Sequence, residues 1–513
     1  MASTATTMPF ELHLSSPIGI LASILVLTAI AVLYTAVYNA YFHPLSHIPG
    51  PFLARASPIP YALRIRSGNI LPWVQKLHEQ YGEVVRVAPT ELSFISGETA
   101  WQDIYGFRIG KHKTGAYLKD RSWYSPAPNG VYSLISSDEA THSRMRRNLS
   151  HAFSDKALRE QERLVQGLVD LLVQKLHEQL EEGGDVDLMR WYNYATFDII
   201  ADLTFGEPLY CLRDKDYHPW VNMVYASAKA IGLLAVRRRY RMFDYYDRFW
   251  NLFQDSTASI TTRKEFFKRS SEKVTARLEK DADRPDFMSF ITESQQKAEK
   301  AMTRDEIDSN AVLMLIAGSE TTATLLTGVT YLLLKNPDAY AKLVREIRGR
   351  FKSQSEITID EVNKLEYMIA CLQEGLRYYP PVPTGFPRTV PKEGDRISGY
   401  YVPGGTSVYV SQHATNHSTR NYTDPDAYVP ERWLGDEKYA GDRRETLNPF
   451  SFGPRNCLGK NLAYAEMRLI VAKVLFNFDI ELVHKDLDWL KDQKLFTLWQ
   501  KPSLMVRLRA VRN

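Results

Sequence analysis

The chain has 513 residues, of which 44% are hydrophobic and 24% are charged, and its formal net charge is +4. This composition is typical of a folded globular protein, and so mild a positive charge gives no reason to expect nucleic-acid binding. The three cysteines, Cys211, Cys371 and Cys457, are too few and of odd number for a disulfide framework, which favours a reducing compartment.

The first predicted element is a membrane anchor. Residues 17–38 contain no charged side chain, and about 20 apolar residues suffice for a helix to cross a bilayer. No Lys or Arg precedes this run, and the run exceeds the ~7–15 apolar residues of a cleaved signal peptide. The first Arg residues, Arg55, Arg64 and Arg66, follow it, which by the positive-inside rule places the remaining chain in the cytosol. We predict an anchor over residues 1–45 and a globular domain over residues 46–513.

Helical periodicity dominates between about Ser137 and Arg377. Residues 160–180 carry apolar side chains at three- and four-residue spacing, which predicts an amphipathic helix. Thr303-Arg304-Asp305-Glu306 has the form of a capping box and predicts the start of a long helix that ends near Asn336. Short strand signals occur at residues 83–87, 400–402, 407–410 and 504–508. The sequence therefore predicts a mainly α-helical domain with a small β-rich subdomain.

The middle of the long helix reads Ala317-Gly318-Ser319-Glu320-Thr321-Thr322. A carboxylate among apolar residues is costly unless it has a partner or a function. The small Ala317-Gly318 pair would let a ligand approach the helix closely, and an acid followed by a hydroxyl can order water and pass protons. The alternative is a helix kink with a buried glutamate that the backbone satisfies.

The strongest chemical signal is the stretch Phe-Ser-Phe-Gly-Pro-Arg-Asn-Cys-Leu-Gly over residues 450–459, before a helix predicted to begin near Gly459. A helix N-terminus lowers a thiol pKa and favours the thiolate, which is the form that binds iron. Gly453 and Gly459 would let the backbone pass close to a flat macrocycle, and Arg455 could meet an anionic propionate. A buried structural cysteine is the alternative, but this register favours Cys457 as a haem-iron ligand.

This Phe-x-x-Gly-x-Arg-x-Cys-x-Gly pattern, which begins at Phe450, resembles the haem-binding signature of the cytochrome P-450 superfamily. Residues 317–322 are similar to the oxygen-activation segment of that family. Glu374-x-x-Arg377, together with Arg432 of a Pro-Glu-Arg segment, is similar to its structural triad. The stretches follow in the family's order, so the resemblance covers nearly everything after the anchor. It implies a cytochrome P-450 fold, a haem b cofactor and a haem-thiolate catalytic domain over residues 46–513.

The resemblance also implies roles for individual residues. Cys457 would be the axial thiolate ligand, Thr321 would order protons for dioxygen activation, and Glu320 would be its acidic neighbour. Further residues would border or hold the haem: Ala317, Phe450, Gly453, Gly459, Arg146, Arg388 and Arg455. His142 stands where many family members have Trp, and it could donate a hydrogen bond to a propionate.

The implied activity is a monooxygenase that inserts one atom of O₂ into a C–H bond of a lipophilic secondary metabolite. The whole chain looks most like fungal hydroxylases of the isotrichodermin 15-hydroxylase kind, which implies a terpenoid, polyketide or alkaloid. No flavin or nicotinamide fingerprint is evident, so NADPH–cytochrome P-450 reductase would supply electrons at the endoplasmic reticulum membrane, with cytochrome b5 as a second candidate donor. Arg144, Arg147 and Lys460 could form a basic docking face for it or could serve general solubility.

Four aromatic and apolar stretches would line the substrate pocket by the same resemblance: Tyr117, Trp123, Tyr124, Val131 and Tyr132; residues 225–234; residues 381–386; and residues 496–499. The basic run at residues 237–241 could rest on anionic lipid or be a solvated face. Two alternatives stay open for the activity. One is a haem-thiolate isomerase or dehydratase without a reductase, and the other is a noncatalytic haem sensor. The Glu320-Thr321 pair argues against both.

Overall fold

The computed structural model describes residues 17–108, 117–251, 258–280, 284–295 and 301–511. The chain forms a mainly helical domain with small β-sheets, preceded by an apolar N-terminal helix. The α-helices in the described residues are α1 Pro17–Val37, α2 Phe52–Ala56, α3 Ile59–Arg66, α4 Ile70–Tyr81, α5 Gly97–Tyr105, α6 Glu139–Ser150, α7 Asp155–Glu182, α8 Leu188–Phe205, α9 Cys211–Asp214, α10 Pro219–Arg239, α11 Arg241–Asn251, α12 Ala258–Glu279, α13 Phe287–Gln295, α14 Arg304–Lys335, α15 Pro337–Arg350, α16 Ile359–Val362, α17 Glu366–Tyr378, α18 Gln412–Asn416 and α19 Lys460–Asn477.

The strands are short and form four sheets within the described residues. They are β1 Val84–Ala88, β2 Glu91–Phe94, β3 Leu118–Lys119, β4 Val186–Asp187, β5 Arg388–Thr389, β6 Asp395–Ile397, β7 Tyr400–Val402, β8 Ser407–Val410, β9 Phe478–Leu482, β10 Lys494–Phe496, β11 Leu498–Gln500 and β12 Met505–Ala510. The largest sheet has the order β1-β2-β8-β5-β3, a second has the order β4-β12-β9, and β6-β7 and β10-β11 are two-stranded. In the largest sheet only the β2–β8 pairing is parallel.

The N-terminal helix α1 is the apolar surface element of the chain. With the π-helical turn Tyr38–Phe42 it forms an apolar stretch, Pro17–Phe42, whose most apolar 18 residues have a mean hydropathy of 2.5. Its Ile, Leu and Val side chains are largely exposed, which is unfavourable in water but suits lipid. Pro17–Phe42 is therefore a candidate membrane span. Helix α14 is also long and apolar enough to cross a membrane. However, 67% of its most apolar 18-residue segment is buried inside the domain, as in a core helix.

The local predictions are confirmed. Helix α7 contains the predicted amphipathic helix. Thr303 caps α14 and forms a full capping box with Glu306, since each side chain accepts from the other's backbone N–H. Pro337 starts α15 directly after α14 ends. Each of the four predicted strand signals coincides with a strand or overlaps one, with bounds that differ by a few residues.

Helix α14 crosses the core and positions the motif at its centre. It packs against α8, α17 and α19. A Cβ at Gly318 would lie 2.6 Å from Ile200 Cδ1 on α8, so Gly318 permits close helix–helix packing. Gly318 is half-buried and its neighbour Ala317 is exposed, so close approach of a ligand at this pair stays a prediction.

Candidate haem-thiolate site

Cys457 lies in the short loop between a 3-10 turn, Gly453–Arg455, and the start of α19 at Lys460. Its backbone N–H donates to the Phe450 carbonyl at 2.8 Å, which fixes the loop. The residue lies in a recess, because its surface is exposed although protein atoms surround it closely. Burial raises the pKa of the Cys457 thiol, and the Gly459 backbone N–H, Arg146 and Lys460 oppose that rise. These opposing contributions have the sign predicted from the sequence, but burial outweighs them, so the pKa of the thiol is raised overall.

The two glycines of the loop differ in what restricts them. Gly453 has a φ of +73°, and a Cβ there would overlap the carbonyl oxygen of Tyr105 at the end of α5. The backbone of Tyr105 thus explains Gly453, which the sequence analysis assigned to a macrocycle. A Cβ at Gly459 would meet only the Phe153 ring, at 3.7 Å, which is an ordinary contact. A macrocycle near Gly459 stays a prediction.

Arg146 on α6 donates two hydrogen bonds to the cysteine loop. Its Nη1 donates to the Asn456 carbonyl at 2.7 Å, and its Nη2 donates to Asn456 Oδ1 at 2.6 Å. Burial lowers the pKa of Arg146, while the charge of a Cys457 thiolate would raise it. Both Nη atoms of Arg146 therefore bind Asn456 of the loop, whereas the sequence predicts that Arg146 binds a propionate. Arg146 also places a cation near the Cys457 sulfur.

The predicted propionate partners His142, Arg388 and Arg455 lie near one another and near Lys119, which the sequence analysis missed. Lys119 of β3 is the cross-strand partner of Arg388 of β5. Burial, with a smaller contribution from the charges of Arg455, Arg146, Lys119 and Arg388, lowers the pKa of His142 to about 3. Burial also lowers the pKa of Lys119 well below its usual range, with added repulsion from Arg388 and Arg455. We call Lys119, His142, Arg388 and Arg455 the cationic cluster.

The cationic cluster lacks a matching set of anions in the described part of the chain. Arg388 is 3% exposed, and its Nε and Nη1 have no hydrogen-bond partner among the described residues. Arg455 donates to the Ser137 carbonyl at 2.9 Å and to Glu139 Oε2 at 3.2 Å. Like charges that face each other across a sheet are unfavourable, and buried unpaired charges are more so. Two free carboxylates, such as haem propionates, fit this donor set, since guanidinium binds carboxylate bidentately.

The acid and the hydroxyl on α14 lie in different surroundings. Thr321 is half-buried beside the exposed Ala317, and its Oγ1 donates to the Ala317 carbonyl at 2.6 Å. Glu320 is fully buried and forms an ion pair with Lys501, which is 1% exposed. A lysine, rather than the backbone, thus pairs with Glu320, and no local sequence pattern predicts this contact.

The predicted structural triad is present and fully buried. Arg377 Nη2 lies 2.8 Å from Glu374 Oε1, and Arg432 Nε lies 3.0 Å from the same oxygen. Trp433 Nε1 also donates to Glu374 Oε2 at 2.9 Å. Arg377 donates further to the carbonyls of Asn416, Pro425 and Ala427. This network ties α17 to the segment before Cys457.

The predicted pocket stretches contact one another in pairs. Lys119 Nζ lies over the rings of Tyr124 and Phe386, at 4.4 Å and 5.6 Å from their centroids. Lys229 on α10 lies over the Phe496 ring at 5.0 Å. The side chain of Tyr225 lies outside the described residues.

Two surface predictions need correction. Arg144 donates to both oxygens of Glu306, so its charge is not free for docking, whereas Arg147 and Lys460 are exposed. In the basic run, Arg239 pairs with Glu91 and Asp120, and Arg237 pairs with Asp244 and Asp247. The interpretation of the run as a free face for lipid or solvent is therefore wrong for these two arginines.

Comparison with known proteins adds independent information. The sequence model of the family Cytochrome P-450 matches residues 55–507. Cytochrome P-450 monooxygenase lcsI of Purpureocillium lilacinum is 50% identical over 491 residues, which cover 94% of each chain. Cytochrome P-450 monooxygenase traB of Penicillium crustosum is 46% identical over 508 residues, which cover 98% of this chain and 99% of the relative. Cytochrome P-450 monooxygenase aclL of Aspergillus oryzae is 43% identical over 485 residues, which cover 94% and 97%.

Proposed function

Because this chain belongs to the cytochrome P-450 family and is a haem-thiolate monooxygenase, we propose that it hydroxylates or epoxidises a lipophilic secondary metabolite with electrons from NADPH. A terpenoid, polyketide or alkaloid is the proposed substrate class. The observation that carries the proposal is the accessible Cys457 in its recess, together with a cationic cluster in which only Arg455 has a carboxylate partner among the described residues. Family relatives from fungi, all named monooxygenases, support it.

We assign Cys457 as the axial ligand and the cationic cluster as the group that holds the propionates of haem b. The orphaned donors of Arg388 and the buried charge of Lys119 support this assignment, since both gain an anion. Arg146 keeps the cysteine loop in place through Asn456. When bound, the haem-thiolate group supplies the oxidation of the C–H bond, for which thiolate ligation favours O–O cleavage.

Thr321 and Glu320 are the residues to which we assign proton handling. The Thr321 hydroxyl proton is held by the Ala317 carbonyl, which leaves lone pairs on Oγ1 that can accept from water. A hydroxyl in this position can order water and hold a proton at Oγ1. Glu320 Oε2 is buried and has no hydrogen-bond partner among the described residues, so it retains the capacity to accept a hydrogen bond from a water molecule that would exchange protons.

The substrate is held, in this proposal, by the aromatic and apolar stretches around Tyr124, Phe386 and Trp499. Trp499 stacks on Tyr379 with ring centroids 4.8 Å apart, which gives this wall a rigid apolar face. Such walls bury a lipophilic ligand and exclude water from the reacting carbon. They do not discriminate among the three proposed substrate classes.

The proposed setting is the endoplasmic reticulum membrane, with residues 1–45 as a single-pass anchor and residues 46–513 as a cytosolic catalytic domain. The candidate span Pro17–Phe42 supports the anchor. NADPH–cytochrome P-450 reductase is the proposed electron donor, with cytochrome b5 as a second one. Arg147 and Lys460 are exposed on the two helices next to the cysteine loop, so they are the proposed docking cations.

The test is to express the chain with a reductase in microsomes, feed candidate metabolites and supply ¹⁸O₂. We expect a product that depends on NADPH and carries one ¹⁸O atom. A product that forms equally without NADPH would instead identify an isomerase or dehydratase. Haem binding without any product from the three metabolite classes would favour a sensor.

A further inference from the structure

Glu320 on α14 is paired with Lys501, which lies far from it in the sequence. Lys501 follows β11, and its Nζ donates to Glu320 Oε1 and, at 2.7 Å, to Thr324 Oγ1. Thr324 Oγ1 in turn lies 3.3 Å from the same Glu320 oxygen. Glu320 and Lys501 are 0% and 1% exposed, so solvent does not screen the pair. All these contacts fall on Oε1, and Oε2 is left without a hydrogen-bond partner among the described residues.

The other ionisable groups near Glu320 do not bind it. The pKa values of Tyr217 and Tyr379 are raised by burial, and the charge of Glu320 raises them further. The Tyr379 hydroxyl donates to Gln493 Oε1 at 2.6 Å instead, and Tyr217 accepts from Asn193 at 3.4 Å. Lys501 is thus the one cation paired with Glu320 in the part of the chain that the structure describes. A buried carboxylate that loses its cation takes up a proton, because burial disfavours the charged form.

The segment that carries Lys501 also carries a predicted substrate wall. Strands β10 and β11 form a hairpin, and Trp499 donates through Nε1 to the Pro380 carbonyl at 2.9 Å. At the hairpin tip, Thr497 Oγ1 lies near α10, since a Cβ at Gly232 would be 3.5 Å from it. Lys501 lies two residues after Trp499, so the acid is tied to the hairpin that faces the proposed substrate.

We propose that Lys501 is a positioning residue for proton delivery: it holds Glu320 as a carboxylate, fixes Oε1 and leaves Oε2 free. The consequence for turnover rests on the proposed monooxygenase function, whereas the ionisation of Glu320 does not. Without Lys501, Glu320 becomes a neutral acid that no longer accepts a proton from water. Thr324 alone cannot replace the lysine, because a hydroxyl carries no charge.

The first test reads the ionisation of Glu320 directly. Infrared difference spectra of the haem-loaded Lys501→Met variant against wild type should show a new band of a neutral carboxylic acid. The band should vanish in Lys501→Met/Glu320→Gln and be absent in Lys501→Arg, which retains the charge. If Lys501→Met does not fold, Lys501→Gln takes its place, because it removes the charge and keeps one donor. No new band in a folded neutral variant overturns the proposal.

Lys473→Met is the matched control, since Lys473 is also buried, at 2% exposure, and paired with a carboxylate, Asp170, at 2.5 Å. It lies on α19 and makes no contact with Glu320. The Lys473→Met substitution should lower stability without producing an infrared band that depends on Glu320. A Glu320-dependent band in this control would mean that any loss of a buried lysine changes the acid, which contradicts a specific role for Lys501.

The second test measures proton delivery in the enzyme reconstituted with a reductase and 7-ethoxycoumarin as a lipophilic probe. Loss of a partner that orients a catalytic group typically costs about 10–100-fold, so NADPH consumption per haem should fall at least about tenfold in Lys501→Met. It should also show a larger solvent deuterium isotope effect, while Lys501→Arg and Lys473→Met stay near wild type. Wild-type consumption and isotope effect in Lys501→Met overturn the role in delivery. If wild type itself consumes no NADPH, the proposed function fails, and the infrared result still decides the ionisation of Glu320.

Discussion

Two buried clusters of basic residues differ in whether the chain supplies their anion. Arg377 and Arg432 are fully buried, and Glu374 accepts hydrogen bonds from both. Lys119 and Arg388 are nearly as buried, but they face each other and Arg388 retains two orphaned donors. The first cluster completes the fold, whereas the second costs stability until an anion arrives. Unpaired buried charge is therefore the feature on which the proposed propionate site rests.

The largest expected effect comes from removing the anion of the first cluster. Glu374→Ala leaves the buried Arg377 without a counter-charge and removes one of the two carboxylates that pair with Arg432, which keeps Asp442. Breaking such a buried pair costs about 3–5 kcal/mol. The urea midpoint of the protein should fall steeply, or the variant should fail to accumulate. Glu361→Ala is the control, since Glu361 pairs with Lys364 at the same three-residue spacing but at the surface. A midpoint unchanged in Glu374→Ala would refute a structural role of the triad.

The second cluster should respond in the opposite way to the loss of an arginine. Arg388→Met removes a like charge from the haem-free protein, so its urea midpoint should not fall. In the haem-loaded protein the same change removes a charge-assisted contact of about 1.5–3 kcal/mol, so haem should transfer to apomyoglobin about 10–100-fold faster. Arg396→Met, at an exposed position on β6, should leave haem transfer unchanged. If Arg388→Met destabilises the haem-free protein as Glu374→Ala does, the chain itself supplies an anion to this cluster.

A smaller effect should appear in the pH dependence of stability. The pKa of His142 is lowered from 6.5 to about 3 in the folded protein, so between these values the unfolded state binds more protons. Stability therefore falls as pH falls below about 6.5, with a slope of up to about 1.4 kcal/mol per pH unit from this residue. His142→Gln should remove that part of the slope in urea unfolding of the haem-free protein at pH 7 and pH 5.

Haem sharpens this prediction. Burial depresses the pKa of His142 most and the neighbouring cations depress it further, and propionate charge would oppose the contribution of the cations. The difference between wild type and His142→Gln should shrink in the haem-loaded protein. Equal pH dependence of wild type and His142→Gln without haem would show that neither burial nor the cationic cluster lowers the pKa of His142.

The features that the sequence predicted best depend on residues close together in the chain. The capping box of Thr303 and Glu306 and the pair Glu374–Arg377 follow from helical spacing, because residues three apart share a face. The loop before Cys457 is also a local pattern. The backbone hydrogen bond from the Cys457 N–H to the Phe450 carbonyl joins residues only seven positions apart.

The features that the sequence did not predict depend on tertiary contacts. Lys501 lies 181 positions from Glu320, and Lys119 meets Arg388 across a two-residue strand, so neither has a periodic signal. The sequence indicates that Gly453 and Gly318 must be small. It does not predict the residues that they contact, Tyr105 and Ile200, because these come from other helices. Sequence patterns indicate where a small or charged residue is needed, and packing determines what it meets.

The reduced–CO difference spectrum tests the central claim, that Cys457 is the axial thiolate of a haem iron, most directly. Wild type should give the strongly red-shifted band of a thiolate-ligated haem. Cys457→Ala should abolish this band, while Cys371→Ala, at a buried cysteine on α17, should retain it. A red-shifted band that persists unchanged in Cys457→Ala would contradict the assignment.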